Sequence, residues 1–260
     1  MSRTASPAVT PSLVATERDG RVLVITLQRE HKRNAVDRAL ADALDAALNT
    51  LDADPDIFAG VLTGGRTVFC AGSDLTSGGD YVTERGGEYG IIRRRRRKPL
   101  IAAVEGVALG GGMEIVLACD MVVAASDASF GLPEVVRGVL PTCGALFRAL
   151  QVLPPNLARE LVMTGQPMNA ARAYEAGLVN ALAQPGDALA QALQLARCIA
   201  ANAPLSVQAS LGAMNGVLAL ADAAGWEFTR AALGAIAGSQ DAHEGVRAFL
   251  EKRVPVWTGR

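Results

Sequence analysis

Gly110, Gly111 and Gly112 stand in a row between a β-type run and an apolar segment ending at Cys119, and no other stretch limits the fold as tightly. Glycine accepts backbone angles and close approaches that other residues do not, so the chain can turn sharply here from strand into helix. Glycines that open a helix also leave its first N–H groups bare, and the helix dipole adds attraction for negative charge. A tight turn packed against a strand explains the same three residues equally well. Glu114 is the only charged residue from Val107 to Cys119. Glu134 follows Pro133 at the end of Ser129-Phe-Gly-Leu-Pro-Glu134, a strand-to-turn sequence. A carboxylate in apolar surroundings is costly unless it is paired, so two of them suggest general acid/base work on one substrate.

The segments around these acids read as alternating strands and helices. Arg21 to Leu27 is β-branched and alternating, which predicts a strand. Asn34 is the expected cap of a helix whose Val36, Leu40, Leu44, Leu48 and Leu51 recur at helical spacing, with Pro55 as its stop. Ile57 to Thr63, Pro99 to Val104 and Asp120 to Ala125 read as further strands. Such alternation predicts an α/β class with parallel βα units and helices covering the sheet. From Pro154 onward the pattern is mainly helical, with a short helix over Asn169–Ala176, a brief strand at Leu178–Leu182 and three or four helices between Gly186 and Glu251. Thr76 to Gly90, with five glycines, is the expected mobile loop and a candidate wall of a substrate pocket.

Composition narrows the function classes. A chain of 260 residues that is 50% hydrophobic can bury a large core without disulfides or metal. A net charge of −1 gives no global pull towards nucleic acid or anionic membrane. Met1 to Pro11 is polar and lacks the apolar core of a signal peptide, and no uninterrupted apolar run approaches a membrane span, so the chain reads as cytosolic. Cys70, Cys119, Cys143 and Cys198 form no CxxC pair, which fits reduced packing residues better than metal or redox spacing. His31 and His243 lie far apart in polar segments and support no Ser/His/Asp set. The run Arg93–Lys98 could touch phosphates, of nucleic acid or of a small ligand. Without interleaved aromatics, it reads first as a solvated helix end, paired at most with acids of a neighbouring subunit. Asp74 and Asp120 read as turn and strand-start acids.

Phe69-Cys-Ala-Gly-Ser-Asp-Leu75 supplies a second candidate donor, because Gly72 lets the chain turn and expose the N–H of Ser73. Together with Ala102-Ala-Val-Glu-Gly-Val-Ala-Leu-Gly-Gly-Gly-Met-Glu114 and Phe130-Gly-Leu-Pro-Glu134, it resembles the enoyl-CoA hydratase/isomerase (crotonase) superfamily. The likeness runs on through Leu161-Val-Met-Thr-Gly165 and Glu244-Gly-Val-Arg-Ala-Phe-Leu-Glu-Lys-Arg253. Leu153–Gly165 and the ending Pro255-Val-Trp-Thr-Gly-Arg260 look most like enoyl-CoA hydratases and carnitinyl-CoA dehydratases.

The resemblance implies a spiral of ββα turns over residues 1–195 and a helical region over 196–260 that builds trimers, often paired into hexamers. It implies reversible hydration of a 2-enoyl-CoA thioester, with carnitinyl-CoA dehydration as the close alternative and a non-catalytic RNA-binding homologue as the remote one. The Ser73 and Gly111 N–H groups match the oxyanion hole, Glu114 the acid that activates water, and Glu134 the acid that exchanges the α-proton. Lys32, Arg33, Ala71, Asp74, Leu75 and Lys252 match the neighbourhood of the CoA moiety. CoA arrives with the substrate, and no metal or other cofactor is implied. A buried carboxylate pair would titrate as a unit, with at least one apparent pKa raised. Two positions depart from the pattern: Glu30 stands where a proline is usual, and Thr142 replaces a common glycine facing the reacting centre.

Overall fold

A computed structural model describes residues 12–77, 79 and 81–260, so the reading of Met1–Pro11 and part of the Thr76–Gly90 loop lie outside it. The strands, in chain order, are β1 (Val14–Asp19), β2 (Val22–Leu27), β3 (Ala59–Thr63), β4 (Val82–Thr83), β5 (Gly87–Glu88), β6 (Leu100–Val104), β7 (Val107–Leu109), β8 (Met121–Ala125), β9 (Ser129–Gly131), β10 (Met168–Asn169) and β11 (Ala181–Ala183). The helices are α1 (Arg38–Ala53), α2 (Gly111–Leu117), α3 (Ala145–Val152), α4 (Pro155–Thr164), α5 (Ala170–Glu175), α6 (Ala188–Ala200), α7 (Pro204–Ile236) and α8 (Gln240–Glu251). Short 3-10 turns cover Glu30–Lys32 and Pro133–Arg137.

Six strands form the main sheet in the order β1-β2-β3-β6-β8-β11, parallel throughout except for the β1–β2 hairpin. Its central strands are apolar at successive residues because helices bury both faces. On one face Ala188, Ala192 and Ala196 of α6 lie against Ala59, Val61, Ile101, Ala103 and Val123. Their small side chains let the helix sit close to the sheet. On the other face Leu40, Leu44, Leu48 and Leu51 of α1 join Ile25, Leu62 and Ala102 in the larger core. A second, three-stranded sheet, β10-β9-β7, branches off where the ββα turns leave the main one. The expected α/β class and ββα progression are both present.

Two expectations change. Asn34 does not cap α1; Asp37 does, accepting the Leu40 N–H at 2.8 Å. The Asn34 amide is fully buried, where it donates to the carbonyls of Gly64, Val68 and Phe69 and its oxygen accepts the Arg29 N–H. It ties together backbone groups that no sheet satisfies. The Arg93–Lys98 run is not a solvated helix end but an irregular turn whose alternate members point inward. Arg94 meets Asp45 at 2.6 Å and Asp52 at 3.3 Å, Arg96 meets Asp120 at 2.5 Å, and the Lys98 ammonium donates to the Asp54 carbonyl. By length and composition the 33 residues of α7 are apolar enough to cross a membrane. Interruptions by Asn215 and Asp222 hide that property from a search for unbroken apolar runs.

Arg96 and Asp120 test the inward reading of the basic run. Removing one member of a buried ion pair strands the other charge, at a typical cost of about 3–5 kcal/mol. Asp120→Ala should lose that much in urea unfolding, whereas exposed Arg95→Ala should stay within about 0.5 kcal/mol of wild type.

Candidate active site

Two ladders of backbone hydrogen bonds converge on the glycine row. β7 pairs in parallel with β9, Leu109 opposite Gly131, and the Gly110 N–H donates to the Gly131 carbonyl at 2.9 Å. On its other side, β7 pairs with the chain at Cys70: the Cys70 N–H donates to Val107 and the Leu109 N–H to Cys70. The chain segments leading to Ser73, Gly111 and Glu134 therefore end side by side. Gly112 permits the junction, since a Cβ there would lie 2.1 Å from the Cys70 carbonyl oxygen. Gly72, at φ +95°, would carry a Cβ 3.0 Å from the Gly111 nitrogen. Both positions require glycine for close approach.

Gly111 opens α2, so its N–H is one that the helix itself leaves without an acceptor. The backbone on either side of Ser73 is gripped by Val36, which donates to the Gly72 carbonyl and accepts the Asp74 N–H, each at 2.8 Å. Glu114 lies in the first turn of α2 and is 2% exposed. Its Oε1 accepts the N–H groups of Cys143 at 2.7 Å and Ala145 at 3.0 Å, at the N-terminus of α3. Bonds of this kind favour the ionised carboxylate and fix its position. Glu134 leaves the turn after β9, and its Oε1 lies 3.3 Å from where a Gly110 Cβ would stand. Glu114 and Glu134, twenty residues apart in sequence, thus flank the same glycine turn.

The other candidates divide into two groups. Lys32 and Arg33 are exposed on the 3-10 turn, and the Ala71 N–H donates to the Arg33 carbonyl, so these three share one rim of the site. Leu75 is 40% exposed close by in the chain. Asp74 is buried, with its carboxylate taken by Arg29 at 2.8 Å and by the Thr76 hydroxyl at 2.6 Å. Its partners are those of a turn acid. Lys252 is the exposed, left-handed C-cap of α8. α8 is docked on the Glu134 turn, since Gly138 leaves room for the Asp241 carbonyl and Gly245 for that of Arg137. The Arg137 guanidinium lies 4.6 Å above the Phe249 ring, where burial lowers its pKa, nearby Glu134 opposes that, and Arg33 adds to it. Burial pushes the Cys70 and Cys119 thiols up to about 12, which removes them as nucleophiles near neutral pH.

Residue-type reasoning did not anticipate the N–H groups of Cys143 and Ala145, because backbone donors leave no signature in a sequence. It also passed over Tyr89, a buried phenol whose hydroxyl shares a 2.6 Å hydrogen bond with the Ser73 hydroxyl.

A family profile described as enoyl-CoA hydratase/isomerase matches residues 17–260. The chain belongs to that family. Among its relatives, a mevalonyl-coenzyme A hydratase of Aspergillus fumigatus is 36% identical over 99% of this chain and 98% of its own length. An enoyl-CoA hydratase of Mycobacterium tuberculosis is 38% identical over 94% of this chain and 96% of its own. The structure of a carnitinyl-CoA dehydratase from Mycobacterium avium 104 superposes with a TM-score of 0.90 at 44% identity, covering 96% of this chain and all of that one. The enoyl-CoA hydratase/isomerase family is a family of CoA-thioester enzymes, and these relatives are hydro-lyases by name.

Asp74 gives the site a pH signature. Its pKa is lowered from 3.8 to about 2, chiefly by the Thr76 side-chain hydrogen bond and further by Arg29, against burial. A carboxyl depressed by folding stabilises the fold above its ordinary pKa and loses that contribution as pH falls through the folded value. The stability gap between wild type and Asp74→Asn in urea unfolding should therefore be full above pH 3.8 and close towards about 2. A gap that stays flat across that window would remove the assignment.

Proposed function

We propose that this chain hydrates a 2-enoyl-CoA thioester reversibly to the 3-hydroxyacyl-CoA. The Ser73 and Gly111 N–H groups receive the thioester oxygen as negative charge develops on it. Glu114 orients a water and takes its proton as the hydroxyl adds at the β-carbon. Glu134 delivers a proton to the α-carbon. One observation carries the reading above the rest: Glu114 is held by two backbone N–H groups while Glu134 lies against Gly110, beside the Gly111 donor. An acid fixed by two backbone donors and a second acid across the same turn are what addition of water to a conjugated double bond needs. CoA enters as part of the substrate, so the reaction calls for no separate cofactor. Lys32, Arg33 and the backbone at Ala71 form the rim on which the nucleotide end would rest, with Leu75 beside it. Lys252 would reach that end from α8, and the Asp74 carboxylate acts on the turn rather than on the ligand. A carnitinyl-CoA-type dehydration is the second reading, favoured by the 44% identity to the Mycobacterium avium structure. The two differ only in the acyl group.

The assembly belongs to the same proposal. Leu205, Val217, Leu220 and Phe228 of α7 are each at least 70% exposed in the single chain. Such a face is covered when copies associate, and a homotrimer or hexamer in the cytoplasm fits it. Six free cations for nucleic acid are not on offer, because Arg94 and Arg96 are paired within the chain. Sedimentation should give a multiple of the chain mass, and Leu220→Glu should lower it. A wild type that sediments as one chain would end this part of the proposal.

Loss of the conjugated absorbance of crotonyl-CoA tests the chemistry. Wild type should turn over, and Glu114→Gln and Glu134→Gln should each slow it by about 100- to 10,000-fold, the usual worth of a positioned acid or base. Undiminished turnover in either variant would exclude that residue's role.

A further inference from the structure

We infer that Tyr89 is a positioning residue that holds both donors of the oxyanion hole in register, an inference that rests on the hole proposed above. Ser73 and Gly111 come from separate segments, and a single side chain touches both residues. The Tyr89 hydroxyl shares a 2.6 Å hydrogen bond with the Ser73 hydroxyl. Its ring lies directly over the Gly111 Cα, where a Cβ would stand 2.6 Å from the phenol oxygen and 2.8 Å from two ring carbons. The phenol therefore fills the space that a side chain at 111 would need, and braces the first turn of α2 from the side of the Ser73 loop.

The backbone beneath Tyr89 is built to hold that pose. Tyr89 is 1% exposed and sits at φ +56°, in the left-handed region that a residue with a Cβ ordinarily avoids. Such a conformation persists where surrounding contacts over-determine it, and these cluster at functional sites. The contacts are present here. The Tyr89 N–H donates to the Tyr81 carbonyl at 2.8 Å, and the hairpin of β4 and β5 precedes it. Thr83 donates to Asp45 of α1 at 2.7 Å, and Arg94 reaches the same carboxylate and Asn49. Gly90, at φ +78°, lets the chain approach the Ala41 carbonyl of α1. The described part of the glycine-rich segment thus forms a wall anchored on α1, and Tyr89 is what it presents to the donors.

The hole acts on charge that grows in the transition state, so a residue that aligns its donors should alter kcat more than KM. Tyr89→Phe deletes the hydroxyl and keeps the ring; Ser73→Ala deletes its partner and keeps the backbone N–H. Each should lower kcat on crotonyl-CoA by about tenfold, part of the roughly 100- to 1000-fold that loss of a whole donor costs. KM should stay within about twofold, and the double variant should be no slower than the worse single one. The direct readout is difference infrared spectroscopy of bound, carbonyl-labelled butanoyl-CoA, a saturated thioester that cannot be hydrated. Its carbonyl stretch should move to lower frequency on wild type and move less on either variant, at unchanged melting temperature. An equal shift on all three proteins would overturn the role of Tyr89. No shift on wild type would overturn it too, together with the proposed hole. A shift on wild type without turnover of crotonyl-CoA would reject crotonyl-CoA as the substrate and leave Tyr89 to be judged on the infrared difference.

Discussion

The short pairing of β7 with β9 on one side and with Cys70 on the other is the constraint on which the site depends. It is only a few hydrogen bonds long, and the segments carrying Ser73, Gly111, Glu114 and Glu134 leave from its ends. Parallel pairing places residues about twenty positions apart at the same height, so the turns after β7 and β9 emerge together. Glycine at 72 and 112 lets the backbones close to distances that a Cβ would forbid. Without those two absences the N–H of Gly111 and the Ser73 loop could not share a centre.

The second dependence runs from the site outwards. Glu114 is held by the N-terminus of α3, and α3 is in turn fixed by α7. Phe147 packs edge-on to Trp226 at 5.0 Å and fills the space left by Gly225, while Arg148 pairs with Asp222 at 3.1 Å. The Arg93 guanidinium stacks 3.7 Å over the same Trp226 ring. The exposed face of α7 proposed for assembly and the carboxylate proposed as base are thereby two ends of one packed connection. α8 makes a similar link to Glu134 through Gly138, Gly245 and Arg137. The helical end of the chain is thus in contact with the supports of both acids.

Much of the fold was legible because its signals are local. Apolar runs at Ala59–Thr63 and Leu100–Val104, leucines of α1 at helical spacing, and glycines at turns each reflect backbone or burial requirements of their own segment. The errors arose where a local signal met a distant partner. Asn34 has the chemistry of a helix cap, yet three carbonyls from the 64–69 segment claim its amide. The Arg93–Lys98 run looks solvated until Asp45 and Asp52 arrive from α1 and Asp120 from the turn before β8. In Thr76–Gly90 the glycines give no hint of the contacts that Thr83, Tyr89 and Gly90 make to α1 and to the site.

The alternation of strands and helices, the two candidate acids and the glycine-rich turns could be read from the sequence, since these follow from burial periodicity and backbone sterics. Its ordered motifs also carried the family. The tertiary structure alone decided that Glu114 is held by the Cys143 and Ala145 N–H groups, that Glu134 faces Gly110, and that Tyr89 joins Ser73 to Gly111. Each of these is a contact between segments separated by sixteen or more residues, made through backbone groups or one buried phenol. Periodicity and residue type carry no record of such distances; only chain pairing sets them.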